Sequence, residues 1–231
     1  MNVTKIASNC RRVTNKLESF KNRLKFKLYG VQYGRNLCVH GSIGLSINEG
    51  GSVVIGDNFY SSNGNHMNPL ARNIQGGIKV GPCGKIIIGN NVGLSSVVLR
   101  CHKSISIGDN VIIGANTIIM DGDGHSTDYI NRRSLSEDNK AKVSAPIIVE
   151  DDVLIGMNCM ILKGVTIGAR SIIGAGSVVT KSIPADCIAA GNPARVIKTD
   201  INSPKITPPT DLNSKYVNLF ITKEGGFHYA A

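Results

Sequence analysis

The chain has 231 residues, of which 42% are hydrophobic and 18% charged, with 26 glycines and no tryptophan. That composition supports a packed core of short strands joined by tight turns and speaks against a helical bundle. There is no run of 18 apolar residues to span a membrane, and eight Lys or Arg against one Glu in residues 1–28 hold a net +7 of the chain's +10, which excludes nucleic acid as a partner of the whole chain.

The first 28 residues predict one helix. Val3, Ile6, Cys10, Val13, Leu17, Phe20 and Leu24 follow a 3, 4, 3, 4 spacing, a heptad stripe on a single face. Lys5, Arg11, Arg12, Lys16, Lys21 and Arg23 occupy the other faces. Two readings stand open: a helix packed on its own or a sister subunit, or a basic amphipathic helix resting on an anionic membrane surface. The opening MNVTKIASNCRR lacks the apolar core of a signal peptide. The six cysteines form no CxxC pair. A cytoplasmic protein with reduced, partly buried thiols is expected, possible contact with the inner membrane face being left to residues 1–28.

From residue 29 the pattern has a period of six. Val149, Ile155, Ile161, Ile167, Ile173 and Val179 are all β-branched. Val153, Cys159, Val165, Ser171 and Ser177 hold a second, smaller position of the same unit, and Gly often follows the aliphatic residue. Upstream, Ile107, Ile113 and Ile119 keep the phase, as do Ile88 and Leu94 and, more loosely, Leu37, Ile43 and Ile55, with Glu49 off pattern. Six is a multiple of the strand period of two, so each unit makes a short strand and a turn; three units close a triangular coil, and stacked coils bury one another's inner faces. The fold class is therefore all-β, a parallel β-helix of hexapeptide repeats over residues 29–198.

The phase breaks twice. Residues 61–77 predict a short excursion. Residues 120–147 predict a long extruded loop, the kind of segment that carries function on a rigid scaffold. Residues 199–231, with Pro204, Pro208 and Pro209, read as an irregular tail.

The stretch IGARSIIGAGSVVTKSIPADCIAAGNPARVIK, Ile167–Lys198, resembles the ending of the hexapeptide-repeat acyltransferases, in particular the maltose, galactoside, nodulation-factor and polysaccharide O-acetyltransferases. The resemblance spans about residues 80–198. It implies a left-handed helix, a trimer with active sites between subunits, acetyl-CoA as donor and a sugar or glycan as acceptor, in surface polysaccharide or lipopolysaccharide biosynthesis. It also implies that His125, in DGDGHSTD, is the general base: a neutral imidazole takes the proton of an acceptor hydroxyl as the oxygen attacks the thioester. Asp121, Asp123, Asp128 or a backbone carbonyl would orient it. By motif position Gly156, Met157, Ala175, Thr180 and Lys181 would contact the cofactor, Arg195 and Lys198 would meet its phosphates, and an N–H near Gly156 would hold the oxyanion. On the acceptor side the resemblance points to Ser95, Ser96, Arg100, His102 and Asp123, with Lys103 beside them, a basic pocket suited to an acidic glycan or phosphorylated carrier.

Two positions depart from the pattern. Relatives often carry Trp where this chain has Leu154, and Ser95 or Ser96 stands where galactoside-type enzymes carry Asn, with His102 near their Asp. Other readings are an acetyltransferase for an amino sugar or xenobiotic and a non-enzymatic β-helix that binds a partner. A zinc hydratase would need three converging histidines; of His40, His66, His102, His125 and His228 only His102 and His125 fall near one another, so no metal is expected.

Overall fold

The computed structural model describes residues 3–64, 67–71 and 74–201, with side chains from residue 13 onward. The expected tail therefore lies almost wholly outside the described residues, as do His66 and His228. Among the described residues a single helix, α1 (Val3–Leu28), precedes twenty short strands that wind into a triangular prism. Three sheets form its sides: sheet A of six strands beginning at Gln32–Tyr33, sheet B of eight beginning at Cys38–His40, and sheet C of six beginning at Gly44–Ile47. Neighbouring strands come from successive coils and pair in parallel, except that the last, Ala194–Lys198, folds back antiparallel on Ile188–Gly191. The architecture is the left-handed parallel β-helix.

The hexad is the reason for this winding. Ile88, Ile107, Val149 and Ile167 stand in register on sheet A, Leu94, Ile113, Ile155 and Ile173 on sheet B, and Leu99, Ile119, Ile161 and Val179 on sheet C. All twelve are buried in one continuous core, and the smaller Val153, Cys159, Val165, Ser171 and Ser177 are buried between them. Each buried aliphatic contributes roughly 1.5–3 kcal/mol of transfer free energy. Phe26 of α1, fully buried, closes the N-terminal end of this core.

The two positions after the glycine, which periodicity alone leaves free, are constrained as well. The second holds the corner residue in the left-handed region: Asn58, Asn91, Asn110, Asn116, Asn158, Arg170 and Gly176 have φ between 55° and 74°. Asn adopts this conformation more readily than other L residues. At the A–B corner the asparagines also form a ladder, Asn36 to Asn58 at 2.8 Å, Asn58 to Asn91 at 2.8 Å and Asn91 to Asn110 at 3.0 Å.

Both interruptions leave the prism at corners. Residues 63–76 leave at the B–C corner with a 3-10 turn (Pro69–Ala71), and the Leu70 carbonyl accepts the Asn116 side-chain amide at 2.8 Å. Residues 121–146 leave at the C–A corner between the fourth and fifth coils. This second segment is not an irregular loop: it holds a 3-10 turn (Asn131–Arg133) and the short helix α2 (Leu135–Ala141). Among the described residues no helix is long and apolar enough to cross a membrane.

Candidate active site

The neck of the C–A loop is built around Asp121. Its buried carboxylate accepts the main-chain N–H groups of His102 and Lys103, both at 2.6 Å, so the chain leaving the fourth coil is tied to the coil corner beside it. Across the neck, Ala145 N–H donates to the Asp121 carbonyl (2.8 Å), Asp123 N–H to the Val143 carbonyl (3.0 Å), and Gly122 bridges Ser144. Asp123 pairs with Lys163 of the fifth coil at 2.6 Å. Cys101 lies against Asp121 in the core, and burial chiefly pushes its thiol up to about 12, which makes it an inert packing group.

Beyond the neck, Arg132 Nη1 donates to the carbonyls of Ser126 (2.7 Å) and Thr127 (2.9 Å), and Asp128 accepts the Ile130 N–H (2.9 Å). These bonds fold the loop so that the first turn of α2 returns to His125. His125 Nδ1 lies 2.7 Å from Asp138 Oδ2, and the other oxygen of Asp138 accepts the Ser126 N–H at 2.7 Å. The Asp138 side chain is 4% exposed and that of His125 is 73% exposed. The Ser126 N–H, and then His125, hold the Asp138 carboxyl below the usual carboxylate range, so it stays an anion. Asp138 is therefore the group that orients His125. Asp121, Asp123 and Asp128 are occupied in the neck and the loop turns, and the sequence reading did not include Asp138. A signal was available: Ser134 followed by Glu137 and Asp138 marks a helix start.

The acceptor-side candidates divide between two corners. Ser95 and Ser96 are buried at the B–C corner and serve the chain's own excursion: Ser95 Oγ accepts the Asn68 amide (2.9 Å) and Ser96 Oγ the Gly64 N–H (3.0 Å). Arg100, His102 and Asp123 lie at or beside the C–A corner. Arg100 pairs in register with Lys79 on sheet C, and buried Nε of Arg100 and Nε2 of His102 have no hydrogen-bond partner among the described residues. Burial first, and then Arg100, pull the His102 imidazole below its ordinary value, with Lys142 and Lys79 adding to the same effect. A basic cluster of Lys79, Arg100 and Lys142 around a neutral His102 thus adjoins the loop neck.

The cofactor-side candidates are likewise divided. Gly156, Met157 and Ala175 stack at the B–C corner; a Cβ on Gly156 would lie 2.5 Å from Ala175 N, so only glycine lets the two corners meet. Thr180 and Lys181 are exposed at the C–A corner, and Arg195 and Lys198 are exposed on the antiparallel final strand. The Gly156 N–H is taken by the Ile173 carbonyl at 2.8 Å and is not available to an oxyanion. The Met157 and Ala175 N–H groups make no hydrogen bond among the described residues. Among the same residues no three His, Cys, Asp or Glu side chains converge as a metal site would require.

The repeats match two family models, the bacterial transferase hexapeptide (six repeats) over residues 146–181 and the hexapeptide repeat of succinyl-transferase over residues 85–121. Both matched stretches lie within the β-helix, on either side of the extruded loop. It is 43% identical over 95 residues to galactoside O-acetyltransferase of Escherichia coli, covering 41% of this chain and 44% of that protein. It is 53% identical over 55 residues to 2,3,4,5-tetrahydropyridine-2,6-dicarboxylate N-acetyltransferase of Staphylococcus aureus, 24% of this chain and 23% of that one. The chain thus spans less than half the length of these curated relatives. A hexapeptide-repeat-containing acetyltransferase of Vibrio cholerae is 28% identical, with a TM-score of 0.53 over 84% of this chain and 89% of that one. An N-acyltransferase from Bacillus cereus shares the fold at a TM-score of 0.60 and 21% identity, over 76% of this chain and 87% of that one.

Proposed function

We propose that the chain is an acetyl-CoA-dependent O-acetyltransferase acting on a sugar hydroxyl in surface polysaccharide or lipopolysaccharide assembly. The observation that carries this reading is the His125–Asp138 pair on the extruded loop of a hexapeptide β-helix. With Nδ1–H donating to the Asp138 carboxylate, His125 is fixed in the tautomer whose Nε2 lone pair is free. That nitrogen takes the proton of the acceptor hydroxyl as its oxygen adds to the thioester carbonyl; Asp138 stabilises the imidazolium. Collapse of the tetrahedral intermediate breaks the C–S bond, the imidazolium returns the proton to the departing CoA sulfur, and an O-acetyl ester is left.

The oxyanion falls to the Met157 or Ala175 N–H, since that of Gly156 is committed. Lys181, Arg195 and Lys198 supply charge for the CoA phosphates, with Thr180 beside them. The His125 loop and the Met157–Ala175 column stand at different corners of one prism, so a complete site needs one copy's loop beside another copy's B–C corner. This supports a trimer of flat-sided prisms. The basic cluster of Lys79, Arg100 and Lys142 supports an acidic glycan or a phosphorylated carrier as acceptor.

The test is thiol release from acetyl-CoA by purified protein offered a panel of neutral and acidic sugars. His125→Ala should lower turnover about 10²–10⁴-fold without moving the thermal midpoint. Absence of thiol release, together with no thermal stabilisation by CoA, rules out the enzyme reading in favour of a binding protein. The likeness to an N-acetyltransferase supports a second reading, transfer to an amino sugar or other amine. Hydroxylamine separates the two, because it cleaves an acetyl ester and spares an amide.

A further inference from the structure

Helix α1 turns its apolar stripe away from its own protomer. The face it lays on the β-helix is polar: the Asn22 amide donates to the carbonyls of Val39 (2.9 Å) and Gly41 (2.8 Å), Arg23 Nε donates to the Leu37 carbonyl (3.0 Å), and Glu18 accepts the Gly41 N–H (2.8 Å). Ser19, Asn22 and Phe26 are buried there. Val13, Leu17, Phe20, Leu24 and Leu28 are 53–76% exposed. At 3.6 residues per turn these five form one stripe on the side opposite Asn22. An ordinary surface helix buries its apolar stripe and exposes its amides; here the arrangement is inverted, and these hydrogen bonds, with one from Lys25 Nζ to the Ile43 carbonyl at 2.5 Å, hold it so.

We propose that this stripe docks on an anionic lipid surface. The flanks decide the occupant. Exposed Lys16 and Lys27 border the stripe on one side and Lys21 on the other, while Glu18, the lone carboxylate in residues 1–28, is turned inward onto Gly41. An apolar seam with cations on both sides complements a surface that is hydrocarbon below and negative at the headgroups. A second copy of the helix fits worse: in a parallel heptad pairing Lys16 of one chain faces Lys21 of the next, like charge on like charge. Since the stripe is already presented by a helix bonded to the prism, binding needs no ordering of the segment. Such docking requires nothing of the reaction proposed for the loop, and it fails or succeeds separately from thiol release.

The experiment is co-sedimentation of the full-length protein with phosphatidylcholine vesicles, with and without phosphatidylglycerol. Binding should require phosphatidylglycerol and weaken with salt. Leu17→Ser with Phe20→Ser should lower vesicle affinity more than tenfold while assembly mass and thermal midpoint stay unchanged, since both side chains are exposed. Lys16→Gln and Lys21→Gln should each cost about fivefold. Equal binding to neutral vesicles, or no binding by the parent protein, overturns the proposal. A fall in assembly mass of the Leu17/Phe20 variant also overturns it and assigns the stripe to a second copy.

Discussion

Asp138 reaches back thirteen residues to hold His125 Nδ1 at 2.7 Å while its second oxygen holds the Ser126 N–H at the same distance. One carboxylate thus fixes both the imidazole and the main chain next to it, which couples orientation of the imidazole to the shape of the loop. Asp138→Asn keeps the volume but removes the charge that stabilises the imidazolium. Turnover should fall about 10²-fold or more with KM little changed, measured by thiol release. Asp138→Ala should in addition loosen the loop, read as faster proteolysis within residues 121–146.

The same carboxylate gives the loop a pH dependence of known sign. Its folded value is depressed, so its contribution to loop order is complete above the ordinary aspartate value of about 3.9 and is lost as pH falls below it. Amide exchange in residues 121–146 should therefore accelerate only in acid below that point. Acceleration beginning near neutrality would separate loop order from Asp138.

The core was legible because a period of six dictates it; any sequence with β-branched residues at that interval must turn them to one side. The corner asparagines were not, since their constraint is a backbone dihedral and not a hydrophobic pattern. Asp138 escaped because its contact depends on how residues 126–134 fold, through Arg132 and Asp128, and nearer aspartates competed for the role. The stripe on α1 was visible as spacing, but which way it faces follows from the carbonyls that Asn22 meets on the first coil, and those are set by tertiary structure.

Asp121 should be the least replaceable residue of the loop neck. Asp121→Asn offers an amide N–H₂ where one of two buried N–H groups needs an acceptor, at a cost of about 1–3 kcal/mol or more. Thermal denaturation should show the loss. The neighbouring His102 adds a second, milder signature. Its folded value is lowered, so the unfolded chain binds the extra proton first; its contribution is full above about 6.5 and is lost as pH falls below that value. His102→Gln should flatten stability between neutral and mildly acid pH.

Lys181 is exposed at the C–A corner and makes no ion pair among the described residues. Its removal should leave fold and chemistry intact and weaken only phosphate binding. Lys181→Ala is expected to raise the KM for acetyl-CoA severalfold with kcat nearly constant, and to reduce thermal stabilisation by CoA to match. An unchanged KM would move the phosphate site elsewhere, with Arg195 and Lys198 the next to test.

Two glycines at the B–C corner separate close approach from backbone strain. Gly176 has φ +74° and no described residue within 4 Å of a new Cβ, so Gly176→Ala should carry only the left-handed penalty of about 1–2 kcal/mol. Gly156 has no such dihedral, but its Cβ would lie 2.5 Å from Ala175 N and 2.7 Å from Ala175 Cα. Main chain cannot swing aside as a side chain does, so Gly156→Ala must part the fifth and sixth coils at that corner. It should cost more than Gly176→Ala, about 3 kcal/mol or more, read from denaturation midpoints. The contact atom is the same Ala175 N proposed above as an oxyanion donor, so the folded fraction of Gly156→Ala should also lose kcat, whereas Gly176→Ala should retain most of it. Equal stability losses would remove close stacking as the reason for glycine at this position.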